Sequence, residues 1–298
     1  MAQNITLLGA SYSAVPAVVL PKTGGGGNAI FADPTPVTAS AADVLAGKYF
    51  IDSSGNVTEG TGSGGGGEDI EKLIKRTISS YENSTITSIG SYAFAYCTDL
   101  ADIDFPSVTT INSSAFYACS KLTNVSIPCA TSIWNYAFGY CTSLNTISFP
   151  SVTYLGIGAF ANCSNLTTVS FPCASTIGTS AFNLCKSLET AYFSSATTIG
   201  SSAFYNCNKL SDISVPLAKS ICNHAFILCR MLTTVSFPSA TTIYNNAFES
   251  CSALITVSFP LVTKVSSSAF ANCTGLTSIY FPITTSSVLQ LLNALEPI

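Results

Sequence analysis

Ile199-Gly200-Ser201-Ser202-Ala203-Phe204-Tyr205-Asn206-Cys207-Asn208-Lys209-Leu210 lies within a 298-residue chain and recurs in outline every 22 residues. Its phenylalanine returns at Phe94, Phe116, Phe138, Phe160, Phe182, Phe226, Phe248 and Phe270, without one insertion or deletion. Three residues after each Phe stands a cysteine, from Cys97 to Cys273, and three after that a leucine, from Leu100 to Leu276. The unit continues as Leu-x-x-Ile/Val-x-Phe-Pro, as in Leu144, Ile147, Phe149 and Pro150. A single unit of this size cannot bury its own apolar face. A fixed short period therefore predicts a solenoid of stacked coils, nine of them.

Within a unit, apolar Ile103 and Phe105 alternate with polar Asp102 and Asp104. That is the pattern of a short half-buried strand, stopped by the following proline. In the second half, Ala196 to Phe204, apolar residues fall three to four apart, which predicts a helical or 3₁₀ turn facing the same core. The expected fold class is an α/β repeat solenoid with one short parallel strand and one such turn per coil. Ser194 replaces the strand-ending proline and Ala191 the usual Ile or Val, so looser packing is expected there.

The units resemble the BspA-like leucine-rich repeat family, which carries the same Ile-Gly-x-x-Ala-Phe, Cys-x-x-Leu and Ile/Phe-Pro elements. The resemblance covers residues 86–283 and implies a leucine-rich-repeat solenoid with a binding role.

Outside the repeat the composition shifts to Gly, Ala and Val, with four-glycine runs at 24–27 and 64–67. Residues 1–61 read as a small β-rich attachment or oligomerisation module and 62–67 as a glycine linker. Within the module, Ser40 to Gly47 predicts a capped short helix, Lys48 to Asp52 a strand, and Val57 to Gly60 a returning strand. So little core implies support from oligomerisation or from docking on a larger assembly. Residues 68–85 are expected to enter the solenoid through a capping helix over Glu68 to Arg76, with acidic residues first and basic residues last. The repeats occupy 86–285, and a second cap helix is expected over 286–298. The segment Thr38 to Thr61, with its Ala-x-Asp-Val-Leu-x-Gly-Lys and Gly-x-Val-Thr-x-Gly-Thr elements, resembles a module of tail and fibre proteins of phages and prophages of Gram-positive hosts. This implies an attachment end joined to a binding end.

Composition narrows the partners. Only 9% of residues are charged and the net charge is −4, so no basic face exists to neutralise nucleic-acid phosphates. Apolar runs are interrupted every few residues, well short of the ~20 needed to span a bilayer. The first basic residue is Lys22, so no basic-then-apolar secretory signal is read at the N-terminus.

Candidate chemistry is sparse. Nine of the twelve cysteines share one repeat position and read as a buried column of thiols, suited to a reducing compartment. Cys129, Cys173 and Cys222 are extras without CxxC spacing. Cys222 beside His224, the only histidine, is the alternative for a metal or a nucleophile and base, but lacks a third group. Asp102 and Asp104 share a strand face, a hydrolase-like pair, but read more simply as edge charges against strand association. The glycine runs lack a following Lys-Ser/Thr for phosphate. No catalytic residue, metal site or cofactor is assigned.

The nine coils serve as their own comparison, and the positions around Ala-Phe vary while the core positions repeat. Tyr92, Tyr96, Tyr117, Trp134, Asn135, Tyr136, Tyr140, Tyr205, Asn223, His224, Tyr244, Asn245 and Asn246 are the candidate ligand-binding set, a paratope-like mixture of rigid aromatics and adaptable amides. A competing surface is the strand face, with one Ser column (Ser126 to Ser258) and one Thr column (Thr146 to Thr256). Together these features lead to the expectation of a phage or prophage tail-associated receptor-binding protein located in the virion. Its partners would be a host cell-surface protein or glycan and other tail or baseplate proteins, and it would be a homo-oligomer, a trimer before other states. A BspA-like adhesin on the bacterial cell surface and a structural spacer are the alternatives.

Overall fold

The structure is a computed structural model that describes residues 78–281, together with the backbone of seven short strands between residues 3 and 59. The two capping helices, the short helix over 40–47 and both glycine runs fall outside the described residues. In the N-terminal region Tyr49–Ile51 pairs antiparallel with Val57–Glu59, the hairpin read from the sequence. Gln3–Leu7 pairs antiparallel with Ala10–Val15, and Ala17–Val19, Ile30–Ala32 and Thr35–Pro36 form a second antiparallel sheet.

Residues 78–281 form a β-solenoid. Numbering coils by their phenylalanines, coil 1 holds Phe94 and coil 9 Phe270; Ile78 to Thr85 precede coil 1. Each coil contributes to two columns of parallel strands, where the sequence predicted one. The first column runs from Ser80–Glu82 and Asp102–Asp104 to Ser278–Tyr280, and the second from Ser88–Ile89 to Lys264–Val265. Register is 22 throughout, as in Thr190↔Asp212 and Ile199↔Ile221. The first column is interrupted at coil 3, where only Thr146 bridges to Thr168, and again between Asp212–Ser214 and Thr234–Ser236; the second is interrupted between Tyr154–Leu155 and Thr176–Ile177. The coil with Ala191 and Ser194 is not the loose one: Thr190–Tyr192 is paired on both sides, and Ala191 and Phe193 are fully buried.

The expected helical or 3₁₀ turn is absent from every described coil. The residues two before and two after each Phe adopt φ between 55° and 63°, seventeen of them non-glycine and the eighteenth Gly158. A left-handed residue at every fourth position cannot lie in a right-handed helical run. It turns alternate amides outward along the axis instead. The amides of Ser202, Phe204 and Asn206 donate to the carbonyls of Asn223, Ala225 and Ile227 on the next coil, while those of Ala203, Tyr205 and Cys207 close turns onto Gly200, Ser202 and Phe204. Inter-coil hydrogen bonds thus outweigh local helix formation. Ser202→Pro should cost about 3 kcal/mol or more, since proline forbids φ of 55° and removes the bond to Asn223. Ser202→Gly should be neutral or slightly stabilising, whereas in a helix it would cost about 1 kcal/mol. Denaturant midpoints of the two variants check this pair of outcomes.

The core is a stack of rings. Phe94 to Phe270 form one column with neighbouring centroids 5.1–5.6 Å apart and planes within 11° of parallel. Phe105, Phe149, Phe171, Phe193, Phe237 and Phe259 pack beside it at the ends of first-column strands. The polar positions are tied between coils as well. Seven side-chain hydroxyls at one repeat position, Thr109 to Thr263, donate to the carbonyl one coil earlier, with Lys219 the exception. This satisfies carbonyls at the corner and fixes the coil spacing.

Candidate recognition surface

The cysteine column is packing, not chemistry. The thiols from Cys119 to Cys273 each donate to the Phe carbonyl of the coil before, as Cys185 Sγ does to Phe160 O at 3.1 Å. Burial, the largest cause, pushes the thiols from Cys141 to Cys273 up, Cys185 to about 12, so the nucleophilic thiolate is suppressed. Cys129 and Cys173 are exposed and Cys222 is half-buried. His224 is exposed, and among the described residues no group of three His, Cys, Asp or Glu side chains is arranged to hold a metal ion.

Asp102 and Asp104 are not on an edge. Their strand is paired on one side with Ser80–Glu82 and on the other with Asn124–Ser126, because the entry segment after the expected capping helix adds a strand that the sequence does not predict. With Glu82 they line an open depression of about 500 Å³ on the strand face. The Asn124 amide donates to the Asp102 carboxylate. Farther along this face the hydroxyl columns are partly spent on one another, Thr190 donating to Thr168 and Tyr192 to Asp212.

The candidate set divides into two groups. On coils 1–3, Tyr96 packs on Tyr117 with centroids 5.5 Å apart, and Tyr117 on Tyr140 at 5.2 Å. Partial burial and the phenols of Tyr140, Tyr96 and Tyr136 raise the Tyr117 pKa, as does its hydrogen bond with Tyr140, so the four hydroxyls belong to one cluster. Glycines make the space. A Cβ on Gly139 would lie 3.2 Å from the Tyr117 ring, and the Tyr136 ring fills the place of a side chain on Gly158, whose φ is +59°. Tyr92 is half-buried on coil 1, and Trp134 packs on Tyr154 at 5.0 Å.

Tyr154 and the exposed Ile157 extend this surface, and the sequence reading did not include them. Tyr154 occupies a strand position otherwise held by Ser, Thr or Lys, and Ile157 an otherwise polar position. That break in the column was the available signal. Tyr96, Trp134, Tyr136, Tyr140 and Tyr154 remain 40–50% exposed, so the Tyr96–Tyr117–Tyr140 row and the Trp134–Tyr154 pair are ordered by ring contact yet open to solvent.

The second group lies on coils 6–8 and is less concentrated. Tyr205 is half-buried, and the Lys264 ammonium lies 5.9 Å from the centroid of the Tyr244 ring. The amides are largely structural: Asn223 Oδ1 accepts from the Asn245 amide, and Asn246 Nδ2 donates to Glu249. Asn135 does the same in the first group, accepting from the Ile157 amide at 2.9 Å. Asn135 and Asn223 clasp adjacent coils and Asn246 is tied within its own, so less of the amide set than of the aromatic set is left to recognise a ligand.

The family model described as the BspA type leucine rich repeat region matches residues 75–189 and 175–291, in six copies. Among solved structures the chain is similar to a leucine-rich repeat protein from Bacteroides ovatus, at 20% identity over 70% of this chain and 79% of that one, TM-score 0.43. It is also similar to a leucine rich cell surface protein from Faecalibacterium prausnitzii, at 23% identity over 74% and 83%, TM-score 0.33. A leucine-rich repeat protein from Eubacterium ventriosum matches at 27% identity over 58% and 43%, TM-score 0.42. No curated protein matches the chain. No helix among the described residues is long and apolar enough to cross a membrane.

Proposed function

The chain belongs to the BspA-type leucine-rich repeat family, and from that premise we propose that it is a non-catalytic recognition scaffold of a phage or prophage tail. In this reading the solenoid binds a host cell-surface glycan or protein, while residues 1–61 attach to other tail or baseplate proteins and favour a homo-oligomer. The observation that carries the recognition role is the row of Tyr96, Tyr117 and Tyr140 on three successive coils together with the Trp134–Tyr154 pair on coils 3 and 4. Rings held by a rigid array offer contact area at low entropy cost, and their hydroxyls and indole N–H supply polar contacts at the rim. The tail location, and with it the virion, is supported by the resemblance of residues 38–61 to tail-fibre modules.

The test is binding of labelled full-length protein to host cells. Trp134→Ala with Tyr140→Ala should weaken binding at least roughly tenfold, while Tyr244→Ala on coil 8 should leave it near wild type. Unchanged binding by the double variant, with its circular dichroism intact, would overturn the assigned face. Protease-treated and periodate-oxidised cells separate a protein receptor from a glycan. Detection in purified particles supports the tail reading; detection on cell envelopes alone favours the adhesin alternative. A solenoid that binds no cell surface is a spacer.

A further inference from the structure

The longest charge-free stretch of the chain coincides with its exposed rings. Between Lys121 and Lys186 there is no Asp, Glu, Lys, Arg or His. That span includes the whole of coils 3 and 4, so every outward side chain around this part of the rod is neutral. Of the two flanking lysines the first is already answered, since Lys121 Nζ lies 2.6 Å from Asp99 Oδ1. A wider face follows the same rule. On coils 1–7 the stretch from the second-column strand to the cysteine, as from Tyr154 to Cys163, holds no Asp, Glu, Lys or Arg. The charges of these coils stand at other positions, as Lys186, Glu189 and Asp212 do. In soluble domains about a quarter of residues are charged. The fold does not forbid charge on this face, because Glu249 and Lys264 occupy it on coils 8 and 9.

Within the neutral span lies an apolar platform. Trp134 and Tyr154 pack with centroids 5.0 Å apart and planes at 49°. Ile157 is tied to the same pair of coils, because its amide donates to the side chain of Asn135, the residue after Trp134. All three side chains are 40–43% exposed. A sugar ring presents C–H groups on its faces and hydroxyls on its rim. Aromatic faces receive the first, and the indole N–H and phenol hydroxyl meet the second. An ionic ligand would find no counter-charge here, and an ion taken from water without a partner is costly. A charged protein partner would find no pattern to match. A neutral sugar chain loses nothing by the absence of charge.

Resting on the recognition role proposed above, we infer that the ligand is an uncharged glycan, and that Trp134, Tyr154 and Ile157 form the platform on which one of its sugar rings stacks. Polymers rich in phosphate or uronate, and charged protein surfaces, do not fit this platform. The same absence of charge makes the contact insensitive to ionic strength.

Opposite charges placed on the platform test this. In the full chain, Ile157→Lys and Ile157→Glu alter a side chain that already faces solvent, and each should weaken binding to host cells roughly tenfold, as loss of an apolar anchor does. The wild type needs no variant to report. Polysaccharide released from the same cells and freed of its anionic fraction by ion exchange should compete with the cells and change the fluorescence of Trp134, the only tryptophan in the chain. Cell binding should vary by less than about twofold from about 0.05 to 0.5 M NaCl, since no ion pair is screened. Tighter binding by either Ile157 variant, competition by the anionic fraction alone, or undiminished binding to periodate-oxidised cells would overturn the uncharged glycan and leave a recognition protein. A wild-type chain that binds no cell surface overturns the recognition role itself, and the glycan with it.

Discussion

Between pH 9 and 11 the solenoid should unfold cooperatively, with little change in stability at lower pH down to neutrality. Seven column thiols, Cys141, Cys163, Cys185, Cys207, Cys229, Cys251 and Cys273, are held above their ordinary value of 9.0, Cys185 and Cys273 at about 12. Burial is the main cause in each case. In the unfolded chain they ionise near 9 while the folded state keeps its protons, so stability is fully present below pH 9 and lost as pH rises toward the folded values. Each thiol contributes a slope of about −1.4 kcal/mol per pH unit, and seven together about −10. A typical domain has ~5–15 kcal/mol in total. Urea midpoints taken against pH, with reductant present, read this directly. Cys185→Ala should lower stability at pH 7, because Phe160 O loses its donor, and should also flatten the alkaline slope by one thiol's share. A midpoint that stays constant from pH 8 to 11 would refute the account.

Phe182→Ala should be the most damaging single substitution among the ring column, at about 3–5 kcal/mol. Phe182 is fully buried, stacks on Phe160 at 5.6 Å and Phe204 at 5.4 Å, and meets Phe171 and Phe193 from the side. Since each coil contacts only its neighbours, a hole in coil 5 also uncouples coils 1–4 from coils 6–9. Denaturation should therefore become two-stepped as well as earlier. The same change at Phe270, near the end of the column, should cost less and leave one transition. A Phe182→Ala protein within 1 kcal/mol of wild type would show that the ring stack is not the main source of cohesion.

The period, the number of coils, the strand ending at each Phe-Pro and the burial of the cysteine column were all legible in the residues, since each follows from which positions repeat. The second strand column and the reversed turns were not. Apolar residues three to four apart, as in Ile199, Ala203, Phe204 and Cys207, suit a helix and a chain of tight turns equally. The residues that separate the two cases are Gly158, Asn162, Asn206, Asn246 and Asn272, types that tolerate positive φ, recurring two places from Phe. Comparison of coils finds Tyr96, Tyr117, Tyr136, Tyr140 and Trp134 as variable positions but does not show that Tyr117 meets Tyr96 and Tyr140, or that Trp134 meets Tyr154. Nor does a single side chain disclose that the amides of Asn135, Asn223 and Asn246 already share a hydrogen bond with the next coil or with a neighbour.

The hydrogen bonds that join one coil to the next, from Ser202 to Asn223 or Phe204 to Ala225, bridge positions 21 residues apart and run along the rod. Tension between the two ends therefore loads these joints in series, and the outermost coil gives way before the rest. Each coil that peels off frees 22 residues, roughly 75 Å of extended chain, while those behind it keep their shape. A rod built in this way lengthens in equal steps under load and dissipates force at each one.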